Sequence, residues 1–292
     1  MTGDLEFLRP GTLAEALAAK AERPRAVPLA GGTDLMVQLN FAQRRPSALL
    51  DLTGLAELAR ISGPGPDGHY RIGATVPYTR LVAELGTTLP GLAAAARTVG
   101  SPQIRNRGTL AGNLGTASPA GDAIPPLVAQ DALVEIASVR GVRTVPAALF
   151  CTGVKQTVLA EDELITAVLV RPAPGPQHFA KIGTRNAMVI AVCSLALGLD
   201  PVGRTVSVAI GSAAPTVRRA GPAERYAARA LDWGGLRTPT GPLLTEFAEL
   251  VAATASPIDD VRATADYRRH ALAVLARRCL SWAWRDLREG SQ

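Results

Sequence analysis

Two glycine-rich stretches contain the residue types that could hold an anionic cofactor. The first, Ala30-Gly31-Gly32-Thr33-Asp34-Leu35, follows a short apolar segment that includes Leu29 and runs into a helix start. A phosphate needs backbone N–H groups that can approach closely, which glycine permits, and a helix N-terminus whose dipole favours negative charge. A lone Gly-Gly-Thr-Asp also fits an ordinary strand-to-helix turn, so alone it decides nothing. The second stretch, Gly100 to Asp122, sets Thr109, Asn113, Thr116, Ser118 and Asp122 among Gly108, Gly112, Gly115 and Gly121. Hydroxyl, amide and carboxylate groups spaced by glycines can wrap a polar ligand. Together the two turns suit a large ligand with a diphosphate and a ribityl or ribose part, for which a dinucleotide is the natural candidate.

Other chemistries find little support. No GxGxxG follows a strand candidate and no GxxxxGK[ST] occurs, which argues against a nicotinamide-type Rossmann turn and a P-loop. A GxSxG elbow is absent, and the three histidines, His69, His178 and His270, cannot make an HExxH zinc site. None of the three sits in a motif, and none is assigned a role. Cys151, Cys193 and Cys279 are too few and too dispersed for a disulfide framework, a zinc site or a cysteine-ligated cluster, and read as reduced, mostly buried thiols.

The elements that must position these loops are legible in outline. Thr12 to Glu22 reads as a helix with Thr12 as N-cap and Glu15 at the capping-box position. Arg25 to Leu29, Ala48 to Leu52 and Tyr70 to Ala74 read as strands, the last two joined across the Gly/Pro-rich turn Gly63 to Gly68. Leu92 to Val99 looks helical, and Gly100 to Asp122 has no regular period and reads as a binding loop. Leu164 to Val170 is a strand, and Pro172 to Pro176 punctuates the chain as a domain boundary. Beyond it, Val189 to Leu199 and Val206 to Ile210 read as strands, and Leu243 to Thr254 and Tyr267 to Leu287 as helices.

The bulk properties agree with two globular cores. The chain has 292 residues, 47% hydrophobic and 19% charged, which is too long for one ordinary core and too apolar for disorder. A net charge of +6 can signal a nucleic-acid partner, but the basic residues are nearly all arginine and scattered, with isolated pairs such as Arg44-Arg45 and Arg277-Arg278. They read as solvated surface, and no nucleic-acid partner is expected. Met1 to Pro10 carries Asp4 and Glu6 and no leader-like apolar run, and the longest apolar run, Met188 to Leu199, is twelve residues. No secretory leader and no membrane span are expected, so the sequence predicts a cytoplasmic protein.

At this point the residues resemble a known family. Ala30 to Leu35, Ile104-Arg105-Asn106-Arg107-Gly108-Thr109-Leu110-Ala111-Gly112-Asn113 and Ala117-Ser118-Pro119-Ala120-Gly121-Asp122 are similar to the medium, FAD-binding flavoprotein subunits of the xanthine dehydrogenase and carbon monoxide dehydrogenase (molybdenum hydroxylase) family. Phe179 to Arg185, Ile210 to Pro215 with Arg218, and Tyr267-Arg268-Arg269 with Leu275 and Arg277-Arg278 extend the resemblance over nearly the whole chain. It implies an α+β (mixed α/β) architecture. A two-part vanillyl-alcohol-oxidase or PCMH-type FAD-binding domain would span 1–174, with subdomains of about 1–53 and 54–174, and a smaller α+β domain of the CO dehydrogenase flavoprotein type would span 175–287.

Carried over by position, Leu29 and Ala30 to Leu35 would hold the FAD diphosphate, as would Gly112 and Asn113. Thr109, Thr116, Ser118 and Asp122 would make polar contacts, Val99 and Leu169 would pack near the rings, and Lys181 would lie near the flavin. The resemblance further implies two partners, a small subunit with [2Fe-2S] clusters and a large molybdopterin-binding subunit, with NAD or another acceptor at the end of the chain. A self-contained flavin oxidase of the same domain type is the alternative. A nucleotide-binding protein without redox activity is a further one. Where relatives often carry an aspartate, this chain reads Arg185-Asn186-Ala187-Met188-Val189-Ile190-Ala191, which implies an apolar loop near the flavin. No inserted cysteine-rich segment is present, so no extra cluster on this chain is expected.

Overall fold

The computed structural model describes residues 5–290; residues 1–4, part of the amino-terminal stretch read above for a leader, lie outside them. The first layer comprises β1 (Glu6–Leu8), α1 (Leu13–Glu22), β2 (Val27–Leu29), α2 (Leu35–Asn40) and β3 (Ala48–Asp51). Its strands form a parallel sheet of order β1-β3-β2. Thr12 caps α1 by accepting from the Glu15 amide at 3.2 Å. The Glu15 carboxylate reaches back to the Gly11 amide at 2.7 Å, so the reciprocal half of the capping box falls one residue early. Lys20, buried on the same helix, donates to the carbonyls of Pro24 and Ala26 at 2.5 and 2.8 Å. Those bonds fix the turn that sends the chain into β2, and so aim the first glycine stretch.

The second layer holds β4 (Ile61–Ser62), β5 (Tyr70–Gly73), α3 (Tyr78–Leu85), α4 (Pro90–Thr98), α5 (Pro102–Arg105), α6 (Leu110–Thr116), α7 (Ile124–Ala129), β6 (Leu133–Ser138), β7 (Gly141–Pro146), α8 (Ala147–Phe150), β8 (Cys151–Gly153), β9 (Gln156–Thr157) and β10 (Leu164–Val170). Its main sheet is antiparallel, in the order β4-β5-β10-β6-β7. Three sequence expectations are corrected here. The strand at Ala48 and the strand at Tyr70 lie in different sheets, and Gly63 to Gly68 instead joins β4 to β5. Those turn residues do spell GxGxxG behind a strand, but they return into an antiparallel partner rather than a helix, so no dinucleotide turn results. The stretch from Gly100 to Asp122 is not an irregular loop: α5 and α6 lie within it, too short to show a period.

The third layer comprises β11 (Gln177–Ile182), β12 (Cys193–Asp200), β13 (Thr205–Gly211), β14 (Arg218–Arg219), α9 (Gly221–Ala230), α10 (Gly241–Ala253) and α11 (Ala265–Gly290), with its strands paired as an antiparallel meander. The period-two alternation of β12 explains its two faces. Cys193, Leu195, Leu197 and Leu199 pack with α9, α10 and α11 in one core. Ala196 and, from β13, Ala209 face the other way and join the core of the second layer. Small residues on that face let α7 lie directly on the sheet: a Cβ at Gly211 would fall 2.8 Å from Pro125 Cγ and 2.5 Å from Ser194 Oγ. Gly211→Ala is therefore expected to destabilise the protein by about 1–3 kcal/mol through overpacking. Thermal melting checks this, and an unchanged melting temperature would mean the layers separate freely at this seam.

Candidate cofactor site

All three layers contribute to one cavity of about 630 Å³. Its upper wall is the turn from β2 into α2. Gly31 is pressed against the second layer, since a Cβ there would stand 2.1 Å from the Arg107 carbonyl oxygen and 3.0 Å from Gly108 Cα. Gly32 adopts φ +74°, a left-handed conformation that glycine takes without strain. Among the described residues, the amides of Gly31, Gly32, Thr33, Asp34 and Leu35 donate to no protein acceptor, and all five residues line the cavity. Consecutive free N–H groups on a concave wall make an anion cradle.

The facing wall is α6 and the turn after it. Thr109 caps α6, its hydroxyl accepting from the Gly112 amide at 2.9 Å, so this side chain already serves the helix. Thr116 donates to Asp34 at 3.4 Å, and Gln38 donates to the same carboxylate oxygen at 2.5 Å, which links the two glycine stretches across the cavity rim. Ser118 accepts from the Ala120 amide at 3.3 Å. Asn113 points its Oδ1 into buried space with no hydrogen-bond partner. Gly121 leaves room for it, a Cβ there falling 2.9 Å from that oxygen.

The deep end is closed by the third layer. Lys181 on β11 donates to Asp122 Oδ2 at 2.5 Å and to the carbonyls of Thr98 and Val189 at 3.1 Å each. Thr98 also donates to Asp122 Oδ2, at 3.0 Å. The pair is buried, with side chains 10% and 8% exposed. Burial pushes the Asp122 carboxyl above its ordinary value, and the Lys181 ammonium opposes that shift. The Lys181 bond to Val189 holds the segment after β11 over the cavity, where Val189 and Ile190 form an apolar lip. This segment does not continue the sheet: the strand expected from Val189 begins at Cys193. Arg268 on α11 anchors the far end, donating to the Val192 carbonyl at 2.5 Å and the Ser212 carbonyl at 3.0 Å.

Most residues singled out from the sequence meet here: Leu29 to Leu35, Val99, Thr109, Gly112, Asn113, Thr116, Ser118 and Asp122 all line the cavity. Lys181 stands behind the wall and acts through Asp122. Leu169 does not reach the cavity; it sits half-buried opposite Arg71 and Leu133, and β10 instead contributes Leu164 and Ile165 from its other end. Sequence reasoning missed Tyr78, Arg44 and Lys155, which also line it. Arg44 and Lys155 have no ion-pair partner among the described residues. They had looked like ordinary surface cations, and only the fold places them on the cavity wall.

Residues 3–173 match the family model described as the FAD binding domain in molybdopterin dehydrogenase, and residues 178–283 match the CO dehydrogenase flavoprotein C-terminal domain. The chain belongs to this FAD-binding family. Among relatives of the FAD-binding family, the xanthine dehydrogenase FAD-binding subunit of Escherichia coli O157:H7 is 36% identical over 286 residues, 95% of each chain. The nicotine 6-hydroxylase medium subunit of Paenarthrobacter nicotinovorans is 30% identical, over 94% of this chain and 96% of that one. The solved carbon monoxide dehydrogenase from Hydrogenophaga pseudoflava that lacks the Mo-pyranopterin moiety superposes with a TM-score of 0.87 at 28% identity, over 97% of this chain and 98% of that one. The α+β architecture is that of these flavoproteins, the chain is an oxidoreductase subunit, and its cofactor is FAD. The cavity fits that cofactor: the free amides of Gly31 to Leu35 on its wall suit a diphosphate.

Proposed function

We propose that this chain is the flavoprotein subunit of a heteromeric molybdenum hydroxylase, receiving electrons from iron–sulfur clusters of a small partner and passing them to a terminal acceptor such as NAD. A large molybdopterin-binding partner oxidises the substrate. The observation that carries this reading is the run of free amides from Gly31 to Leu35 on a cavity wall, in a chain whose relatives are named as subunits. When bound, FAD supplies the capacity to exchange electrons. The chain's own residues bind and orient. The cradle at Ala30 to Leu35 takes the diphosphate, assisted by Gly112, Asn113 and the positive charge of Arg44. Thr116 and Ser118 border the polar middle. Val99, Val189 and Ile190 offer apolar surface to the ring system and keep water from it, and the Lys181–Asp122 pair fixes the third layer beside it. No side chain needs to act as acid or base.

The test is the visible spectrum of the purified chain, with the chromophore released on denaturation and identified. Flavin bands with free FAD released, and reduction of that flavin by substrate only when both partner subunits are present, are the expected results. A spectrum without flavin, with none taken up on adding FAD, would sink the reading; reduction by a small alcohol without partners would favour the self-contained oxidase.

A further inference from the structure

Lys155 lines the cavity, is exposed, and has no ion-pair partner among the described residues. With Val154 it forms the two-residue turn from β8 to β9, across which Gly153 pairs with Gln156. Lys155 takes φ +57° there. Glycine or asparagine is usual at such a turn position, because a Cβ crowds the backbone in the left-handed region. The turn itself therefore gains nothing from lysine. It is fixed against the wall that faces the diphosphate cradle, since the Lys155 amide donates to the Ala117 carbonyl at 3.0 Å. Ala117 ends α6 between Thr116 and Ser118, which both line the cavity. Thr116 in turn donates to Asp34 of the cradle at 3.4 Å. The acids on this rim are already engaged: Glu163 accepts from Arg143 at 2.7 and 2.6 Å, and Asp34 accepts from Gln38 at 2.5 Å.

We infer that Lys155 is a second cofactor-binding cation, whose ammonium meets the FAD diphosphate from the second layer while Arg44 meets it from the first. The diphosphate is the anionic part of the oxidised cofactor, so an unpaired cation on the wall facing the cradle has that one group to answer. An ammonium acts on phosphate as a point charge and needs no fixed geometry. Its flexible four-carbon stem lets it close over the ligand once the amides of Gly31 to Leu35 have taken hold. The inference rests on the FAD reading above.

The experiment titrates the apoprotein with FAD at several salt concentrations for wild type, Lys155→Met, Lys155→Gly and Lys155→Arg, and records apoprotein melting for each. Lys155→Met and Lys155→Gly are expected to raise the FAD dissociation constant about fivefold at low salt, the scale of an exposed ion pair. That difference should shrink as salt rises. Lys155→Arg keeps the charge and should bind within about twofold of wild type. The Lys155→Gly apoprotein should melt at the wild-type temperature or higher, because the left-handed turn suits glycine. Wild-type affinity in Lys155→Met, a loss of equal size at every salt concentration, or a loss in Lys155→Arg as large as in Lys155→Met would each overturn the assignment of Lys155. Failure of the wild type itself to bind FAD would overturn the FAD reading, and this inference with it.

Discussion

Gly31→Ala will raise the FAD dissociation constant by about 100-fold, the largest loss expected from any single methyl group in this chain. A methyl at this position would lie 2.1 Å from the Arg107 carbonyl oxygen and 2.7 Å from its carbon, both backbone atoms that cannot rotate away. Relief requires the first layer to lift from the second, and that movement separates the amides of Gly31 to Leu35 from the wall formed by α6. Overpacking of this kind costs about 1–3 kcal/mol and sometimes more. In the free protein the half-buried turn can shift to shed part of that strain, so the remainder falls on the bound state. Titration of the apoprotein with FAD, read by quenching of flavin fluorescence, checks the loss. Binding within twofold of wild type would show that the cradle does not need this close approach.

Lys181→Met is the second large effect, and it precedes any cofactor. The substitution leaves the Asp122 carboxylate buried without its counter-charge and strips donors from the Thr98 and Val189 carbonyls. Breaking a buried pair from one side costs about 3–5 kcal/mol. The pH dependence has a definite sign. Burial already raises the folded-state pKa of Asp122 above its unfolded value, so the folded state binds the proton more tightly and stability falls as pH rises from the unfolded to the folded pKa. Without Lys181 the folded value rises further and that window widens upward. The variant should therefore approach wild-type stability in acid and lose it progressively toward neutral pH. Adding Asp122→Asn should restore much of the loss at neutral pH. Urea melts at several pH values would show this, and a deficit independent of pH would mean that lost packing dominates.

The loop chemistry and most elements were legible because they are local properties. Thr12 as a cap, the apolar run of β10 and the long amphipathic α11 are each set by residues within a few positions of one another. Pro172 to Pro176 lies in the gap between β10 and β11 for the same reason. The misses have the opposite character. Short helices α5 and α6 leave no period to read, and whether Ala48 to Asp51 and Tyr70 to Gly73 share a sheet depends on pairings with distant strands. The relevance of Leu169 was carried over by position, but strand β10 presents its Leu164 end to the cavity and its Leu169 end to Arg71.

By itself the sequence determined two glycine-bearing turns carrying hydroxyl, amide and carboxylate groups, because glycine content and hydrogen-bonding side chains are properties of single residues. Only the tertiary structure decided that Gly31 is the seam between two layers, that Lys181 on the third layer reaches Asp122 on the second, and that Arg44 and Lys155 line the same cavity. Residues separated by 59 positions, as Lys181 and Asp122 are, leave no local signal of their contact. Burial, which gives that contact its strength, exists only once the layers have closed.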